Sequence, residues 1–281
     1  MEKIGIVGAG TMGRGIAQFL AGAGSEVILH DIKTRYVEDA LEGIEKTLTR
    51  SVEKERITPD EKFKTLNNIE ITTDLKDLRG RELVIEAATE KMEVKKKIFQ
   101  DLDTICEDDT ILATNTSALS ITKIASTIAN PARVLGIHFF NPVPVMKLVE
   151  IVRGLTTSDE IVDKSRDFVV DAGKTVVEVQ ESPGFVVNRI LIPMINEAAF
   201  LLQEGVASAD DIDTAMKNGA NHPIGPLALA DMIGIDVCLA IMETLNNELG
   251  EDKYRPCLLL RQKVRADQLG RKSGQGFYSY S

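Results

Sequence analysis

The chain has 281 residues, of which 43% are hydrophobic and 27% charged, and a formal net charge of -10 at pH 7. This length and composition predict a globular protein with one large domain or two smaller ones, and the negative charge argues against general nucleic-acid binding, which needs a broad basic surface. Three widely separated cysteines exclude a disulfide framework and a closely spaced zinc site, so we expect no metal centre and a reducing, cytoplasmic setting.

The first predicted element is a strand at residues 4–7, followed by the glycine loop Gly-Ala-Gly-Thr-Met-Gly at residues 8–13 and a helix at 12–23. This order of strand, glycine loop and helix is the dinucleotide-binding fingerprint. Gly8 permits the tight turn, Gly10 lets the backbone approach a pyrophosphate, and Gly13 lets the helix lie close to the strand. Free N–H groups at the helix N-terminus then face the anion, so the loop predicts dinucleotide binding.

The second predicted strand, residues 26–30, ends at Asp31. A carboxylate at this distance from the glycine loop accepts hydrogen bonds from the adenosine ribose of a bound dinucleotide. Its charge would repel a 2′-phosphate by roughly 4 kcal/mol per unit charge at ~4 Å and intermediate dielectric, which favours NAD over NADP. The alternative is an aspartate that only caps the next helix. We assign the neighbouring His30 a structural role at the strand end.

The following elements continue the same alternation. Strand-like runs are at residues 83–86, 111–114, 134–137, 149–152 and 175–179, with a helix at 158–172, and a turn over residues 181–184 precedes helical stretches near 185–204, 208–217, 225–248 and 255–268. Buried strands with crossover helices predict a parallel sheet. We therefore expect an α/β fold, with a Rossmann-like doubly wound domain at residues 1–184 and an all-α domain at 185–281.

A histidine and a glutamate form a candidate acid–base pair. His138 follows an apolar run, and Glu150 comes twelve residues later. A histidine can take and return a proton near neutral pH, and a glutamate on its far ring nitrogen would fix its tautomer. The alternative is a structural histidine at a strand end, and we give that role to His222, which lies in a loop-like segment before Pro223.

Six ordered motifs accompany the glycine loop. They are Glu86-Ala87-Ala88-Thr89-Glu90 with Lys95, Asn115-Thr116-Ser117, His138-Phe139-Phe140-Asn141-Pro142, Pro183-Gly184-Phe185-Val186-Val187-Asn188-Arg189, His222-Pro223-Ile224-Gly225-Pro226-Leu227 and Gly270-Arg271-Lys272-Ser273-Gly274-Gln275-Gly276-Phe277-Tyr278. With them, residues 3–280 resemble the short-chain L-3-hydroxyacyl-CoA dehydrogenases, particularly the bacterial 3-hydroxybutyryl-CoA dehydrogenases.

The resemblance implies reversible hydride transfer between C3 of an (S)-3-hydroxyacyl-CoA and NAD. In that scheme His138 is the base for the hydroxyl proton, Glu150 holds its ring, and Ser117 and Asn188 contact the substrate's oxygen atoms. On the residues alone, Ser117 could instead cap the next helix, and Asn188 could be a polar residue on a packed helix.

The resemblance also implies the binding residues. Those near the cofactor are Gly8, Gly10, Thr11, Met12, Gly13, Asp31, Ala88, Glu90, Lys95, Asn115, Ser117, Asn141 and Lys272. Glu90 and Lys95 are equally typical of the start of a solvated helix. Thr47, Arg50 and Lys54 match positions that bind the CoA moiety, although Arg50 replaces the usual lysine, and a solvated helix face is the alternative for the basic segment at residues 50–64.

Two other functions remain open at this point. One is a dehydrogenase of a free hydroxy or sugar acid such as gulonate, which would share the glycine loop, His138 and Glu150. The other is a non-catalytic NAD-binding protein that keeps the fold. The resemblance implies an acyl-CoA substrate, and substrate binding and homodimerisation through the helical domain at residues 185–281. The negative net charge argues against a nucleic-acid partner. We expect no membrane partner, because the apolar runs are far shorter than the ~18 residues of a membrane span and no signal peptide is visible.

Overall fold

A computed structural model describes residues 1–280 of the chain. An eight-stranded sheet organises the first part of the molecule. Its strands are β1 (Lys3–Val7), β2 (Glu26–His30), β3 (Ile69–Thr72), β4 (Leu83–Glu86), β5 (Ile111–Thr114), β6 (Val134–Phe139), β7 (Leu148–Arg153) and β8 (Thr175–Gln180). The order across the sheet is β3-β2-β1-β4-β5-β6-β7-β8, which is the doubly wound arrangement that the sequence predicts.

One pair of strands departs from the predicted parallel sheet. β6 and β7 are antiparallel, whereas the other pairs are parallel. The segment between them, residues 140–147, is too short for the crossover that two parallel strands need, so the chain turns back as a hairpin. β3 at the sheet edge was not predicted, because its sequence Ile-Glu-Ile-Thr is short and half exposed.

Helices cover the sheet and build the core of this part. They are α1 (Thr11–Gly22), α2 (Thr34–Glu53), α3 (Pro59–Asn67), α4 (Met92–Ile105), α5 (Ile121–Ala125) and α6 (Asp159–Asp171). Apolar side chains of α1, α2 and α6 pack on strand residues such as Ile6, Leu29 and Ile85 in one hydrophobic cluster. Each fully buried Leu or Ile contributes about 1.5–3 kcal/mol relative to exposure, so this cluster fixes the sheet from which the site residues project.

The basic segment at residues 50–64 is not a single helix face. α2 ends at Glu53, and α3 begins at Pro59 after a turn that includes Glu55 at φ 53°. Thr58 and Glu61 form a reciprocal capping box, with the Thr58 N–H donating to Glu61 Oε2 at 2.7 Å. Such caps typically stabilise a helix start by about 1 kcal/mol, which explains why α3 begins there.

The chain divides into two compact units, Met1–Ser182 and Pro183–Ser281. The second unit is helical as predicted, with α7 (Val187–Gln203), α8 (Ala209–Gly219), α9 (Pro226–Ile233), α10 (Ile235–Leu249) and α11 (Leu258–Arg265). The single helix expected near residues 225–248 is divided at Gly234, which has φ +107°. A residue with a Cβ disfavours that conformation, so glycine ends α9 and starts α10 in a new direction.

Candidate active site

The glycine loop has the geometry that its sequence predicts. Gly8 has φ +107°, and an added Cβ would lie 2.7 Å from the Ala87 carbonyl oxygen. At Gly13 a Cβ would lie 1.7 Å from the Gly8 carbonyl oxygen, so only glycine lets α1 come this close to the loop. A Cβ at Gly10 would project into open space, which is the space that a pyrophosphate needs beside the first turn of α1.

A cleft of about 850 Å³ opens beside this loop and includes Thr11, Asp31 and Ala88 in its lining. Asp31 does not cap α2, whose N-cap is Lys33. Its two carboxylate oxygens accept hydrogen bonds from the N–H groups of Ala9 and Ile32, each at 2.7 Å. A carboxylate oxygen has more than one acceptor site, so Asp31 can hold the loop and still accept from ribose hydroxyls. The loop, cleft and carboxylate together fit NAD.

His138 and Glu150 face each other across the β6–β7 hairpin, where they are register partners. Side chains of directly opposed residues lie on the same face of a sheet. His138 Nδ1 lies 2.7 Å from Glu150 Oε2, and the two side chains are 4% and 0% exposed. In the tautomer with the proton on Nδ1, the Nδ1–H group donates a hydrogen bond to the Glu150 carboxylate and Nε2 is the acceptor.

Ser117 lies beside the second ring nitrogen of His138, with its Oγ 3.2 Å from Nε2. It follows β5 and does not cap α5, because Ser120 is the residue whose side chain accepts from the Lys123 N–H. The helix-capping alternative for Ser117 is therefore wrong. Ser117, His138 and Glu150 form a continuous hydrogen-bonded row, in which a hydroxyl and an imidazole nitrogen lie side by side.

Glu90 fixes the backbone that carries Ser117. Its Oε1 accepts hydrogen bonds from the Thr116 hydroxyl at 2.5 Å and from the Ser117 N–H at 2.9 Å. Lys95 is not on a solvated helix start, since only 1% of its surface is exposed. Its Nζ lies 2.9 and 2.7 Å from the two carboxylate oxygens of Glu86 and 3.5 Å from Glu90.

Glu86 is a polar residue to which the sequence alone assigned no role. It follows the apolar residues Leu-Val-Ile as the last residue of β4 and is fully buried. A carboxylate that ends a central, otherwise apolar strand is unusual, because burying an unpaired charge is costly. This position at the end of a buried strand was the sequence signal that could have identified Glu86 as a functional residue.

Asn115 and Asn141 lie near the same end of the sheet. Asn115 Oδ1 accepts from the Phe139 N–H at 2.8 Å and so ties the end of β5 to β6. Asn141 is exposed in the loop that follows β6. The buried Lys174 Nζ holds that loop by donating to the carbonyl oxygens of Val143 and Met146 at 2.6 and 2.7 Å, and burial lowers the pKa of this amine.

Thr47, Arg50 and Lys54 share one side of α2 and its C-terminal end, because they are spaced by three and four residues. All three are exposed, and the Thr47 hydroxyl donates to the Gly43 carbonyl at 2.8 Å. Their placement is compatible with anion binding from solvent, and their contact with CoA stays a prediction.

Asn188, His222 and Lys272 lie in the second unit. Asn188 is the second residue of α7. Lys272 lies in a short 3-10 helix, Arg271–Ser273, and its Nζ is 2.6 Å from Asp236 Oδ2. His222 lies in the loop between α8 and α9, where its backbone N–H donates to the Met216 carbonyl oxygen at 3.2 Å. Substrate contact by Asn188 and cofactor contact by Lys272 stay predictions.

Two kinds of feature are absent from residues 1–280. No group of histidine, cysteine and carboxylate side chains there is arranged to hold a metal ion. No helix in the same range is long and apolar enough to cross a membrane.

Comparison with known proteins matches both units. The NAD binding domain model of 3-hydroxyacyl-CoA dehydrogenase covers residues 3–182, and the C-terminal domain model of the same enzyme covers residues 184–280. The fold and the matched NAD-binding domain define an NAD-dependent oxidoreductase. The chain belongs to the 3-hydroxyacyl-CoA dehydrogenase family.

Individual relatives agree along the whole chain. A probable 3-hydroxybutyryl-CoA dehydrogenase of Bacillus subtilis is 51% identical over 280 residues, covering 100% of this chain and 98% of that protein. The 3-hydroxybutyryl-CoA dehydrogenase of Clostridioides difficile is 50% identical and covers 99% of both chains. Among solved structures, the (S)-3-hydroxybutyryl-CoA dehydrogenase of Ralstonia eutropha aligns with a TM-score of 0.96 at 50% identity, over 99% of this chain and 98% of that one.

Proposed function

We propose that this protein interconverts (S)-3-hydroxybutyryl-CoA and acetoacetyl-CoA with NAD(H), and that the His138–Glu150 pair handles the hydroxyl proton. The observation that carries the proposal is the row of Ser117, His138 and Glu150, with 3.2 and 2.7 Å between the bonded atoms. The choice of substrate is supported by relatives with about half of their residues identical to this chain, which are named for that substrate.

Proton transfer falls to His138 in this proposal. In the oxidative direction its Nε2 accepts the proton of the C3 hydroxyl, and in the reductive direction it returns that proton to the forming alkoxide. Glu150 accepts from Nδ1 throughout, so the ring keeps one orientation and the positive charge that it gains faces a carboxylate. Such a positioned acid–base group typically contributes ~10²–10⁴ in rate.

Bound NAD supplies the acceptor for the C3 hydride, and NADH supplies its donor in the reverse direction. The chain's own part is to orient the reactants. Backbone N–H groups of the glycine loop bind the pyrophosphate, and Asp31 accepts from the adenosine ribose and disfavours a 2′-phosphate. The further cofactor contacts proposed by resemblance are with Glu90, Lys95, Asn115, Asn141 and Lys272.

Substrate orientation is assigned to Ser117 and Asn188. The Ser117 hydroxyl lies beside the imidazole nitrogen and can hydrogen-bond the same substrate oxygen. Hydrogen bonds from two side chains to one oxygen fix the direction of the C3 hydrogen, and correct orientation accounts for much of the rate gain in such reactions. Thr47, Arg50 and Lys54 on α2 are proposed to bind the phosphates of the CoA moiety, for which a cationic side chain is suited.

A homodimer through the helical unit is also part of the proposal. Several large apolar side chains of that unit are at least half exposed, among them Ile190 at 69%, Met232 at 52% and Leu258 at 50%. Apolar surface of this kind on neighbouring helices is typical of an interface between subunits.

The proposal is tested by following NADH absorbance with three substrates in parallel: acetoacetyl-CoA, free acetoacetate and the oxidised form of gulonate. We expect rapid NADH consumption with the thioester alone, and little consumption when NADPH replaces NADH. Turnover of a free acid at a comparable rate would move the function to hydroxy-acid dehydrogenation. Tight NADH binding without turnover of any substrate would favour a non-catalytic protein.

A further inference from the structure

The buried pair of Glu86 and Lys95 has no part in the proton transfer described above. Glu86 ends β4 and is 0% exposed, while Lys95 lies on α4 and is 1% exposed. Removing two opposite charges from water is costly, and well-packed apolar side chains in their place often leave stability unchanged or raise it. A gain in stability is therefore a weak reason for an ion pair at this position.

Glu86 connects three segments that converge on the cofactor end of the sheet. Its Oε1 accepts from the Ala88 N–H at 2.8 Å and from Lys95 Nζ at 2.9 Å. Its Oε2 accepts from the Thr114 hydroxyl at 2.8 Å and from Lys95 Nζ at 2.7 Å. Glu86 and Thr114 are register partners in the β4–β5 pair, so this carboxylate fixes the end of β5 immediately before the segment that contains Ser117.

Lys95 extends the connection to Glu90. Its Nζ lies 3.5 Å from Glu90 Oε2, and the other oxygen of Glu90 accepts from the Thr116 hydroxyl and the Ser117 N–H. Lys95 thus stands between two carboxylates, one fully buried and one about half exposed. The Lys95 ammonium attracts the Glu90 carboxylate, which accepts a hydrogen bond from the Ser117 N–H.

We propose that Glu86 and Lys95 are positioning residues, which hold Glu90 and through it place the Ser117 hydroxyl opposite His138 Nε2. The inference rests on the proposed roles of Ser117 and His138. It assigns a function to Glu86, and it makes the main role of Lys95 the orientation of Glu90.

The first test uses Glu86→Gln, which keeps the shape of the side chain but removes its charge and replaces one acceptor oxygen with an amide donor. We expect kcat with acetoacetyl-CoA to fall by about tenfold or more, and by a larger factor than the dissociation constant for NADH rises, since Glu90 and Lys95 are also proposed cofactor contacts. Glu178→Gln is the matched control, because Glu178 is on an exposed stretch of β8, where it pairs with Arg166. An unchanged kcat in Glu86→Gln would overturn the proposal.

A second variant separates positioning from stability, since Glu86→Gln leaves Lys95 as a buried charge without its main partner. Glu86→Gln/Lys95→Met removes both charges, and we expect it to fold with nearly wild-type thermal stability. If the pair is only structural, this variant regains wild-type kcat. If the pair positions Glu90, kcat stays low although stability is restored.

A double-mutant cycle with Ser117→Ala tests the route. Residues that act through one contact are not additive, so Glu86→Gln should change kcat by less than about threefold in the Ser117→Ala background. An equal loss in both backgrounds would show that Glu86 does not act through Ser117.

Hydrogen exchange provides a readout that needs no substrate. The Ser117 amide donates to Glu90, so peptides covering residues 115–119 should exchange faster in Glu86→Gln/Lys95→Met than in the wild type, and at the wild-type rate in Glu178→Gln. Unchanged exchange there would overturn the proposal. Absence of wild-type turnover with acetoacetyl-CoA would refute the proposed function instead. The exchange result would still test whether Glu86 and Lys95 hold the Ser117 backbone.

Discussion

Glu150 meets His138 because the chain reverses between them. A spacing of twelve residues has no meaning in one strand, but in the β6–β7 hairpin it makes the two residues direct partners. The residue types and their order were readable from the sequence, since histidine has an unperturbed pKa near neutral pH and a carboxylate can orient its ring. Their contact was a hypothesis at that point, because it depends on where the hairpin turns and on the register of its strands.

Glu90 and Lys95 are residues whose surroundings could not be predicted from the local sequence. The sequence allowed them to be either cofactor contacts or residues of a solvated helix start, and a lysine among charged neighbours at residues 90–97 gives no sign of burial. Lys95 is buried because α4 brings it over the end of β4, where Glu86 compensates its charge. Burial of this kind follows from packing between elements, which local patterns do not contain.

His30 gives a pH-dependent prediction for stability. It is buried at the end of β2, and its Nδ1 is without a hydrogen-bond partner. Burial lowers the pKa of His30 below its ordinary value of 6.5, against the opposing effect of Asp31. The unfolded chain then binds this proton more readily than the folded protein does, so the contribution of His30 to stability is present above pH 6.5 and is lost as pH falls toward the lowered pKa.

The measurement is the urea midpoint of unfolding at about pH 7.5 and about pH 5.5 for the wild type and for His30→Gln. We expect the wild type to lose more stability on acidification than the variant, because the variant lacks the group that must be protonated on unfolding. Equal losses would show that His30 does not contribute to the pH dependence.

At the scale of the elements, the central strands were the most predictable. β2, β4 and β5 have the bounds that their apolar runs indicate, because strands covered on both faces are continuously hydrophobic. The edge strand β3 was missed, and the long helix expected in the second unit is two helices, since Gly234 adopts a positive φ that a helical pattern does not reveal. Edges and turns are where the hydrophobic pattern carries the least information.

α2 carries the prediction that concerns CoA. Arg50→Gln/Lys54→Gln removes two exposed cations from one side of this helix. Exposed charge pairs are worth about 0.2–1 kcal/mol each, so we expect the KM for acetoacetyl-CoA to rise by up to about tenfold, with kcat nearly unchanged.

The controls for this variant are a second substrate and a second double variant. Acetoacetyl-pantetheine lacks the nucleotide phosphates, so its KM should be the same in the variant and the wild type. Lys164→Gln/Arg166→Gln on α6 changes the net charge equally, at one exposed and one partly buried position, and should leave both KM values unchanged. A rise in KM with pantetheine as well would indicate a general disturbance of α2.

At the scale of the whole molecule, the sequence predicted two domains of different class, and the structure has a doubly wound sheet followed by helices. The glycine loop and Asp31 were informative because the chemistry of binding a dinucleotide demands those residue types at that spacing. The chain of contacts from Glu86 to Ser117 was not predictable. It depends on β4 and β5 being neighbours in the sheet, and strand order is a property of the complete fold.

The proposed function depends most on His138, which moves the hydroxyl proton in this proposal. The most direct measurement is kcat with acetoacetyl-CoA and the dissociation constant for NADH in His138→Gln, beside His222→Gln, which removes a histidine from a loop of the helical unit. We predict a fall in kcat of ~10²–10⁴ in His138→Gln, with NADH binding nearly intact, and a much smaller effect in His222→Gln. Turnover by His138→Gln at a rate close to that of the wild type would contradict the account.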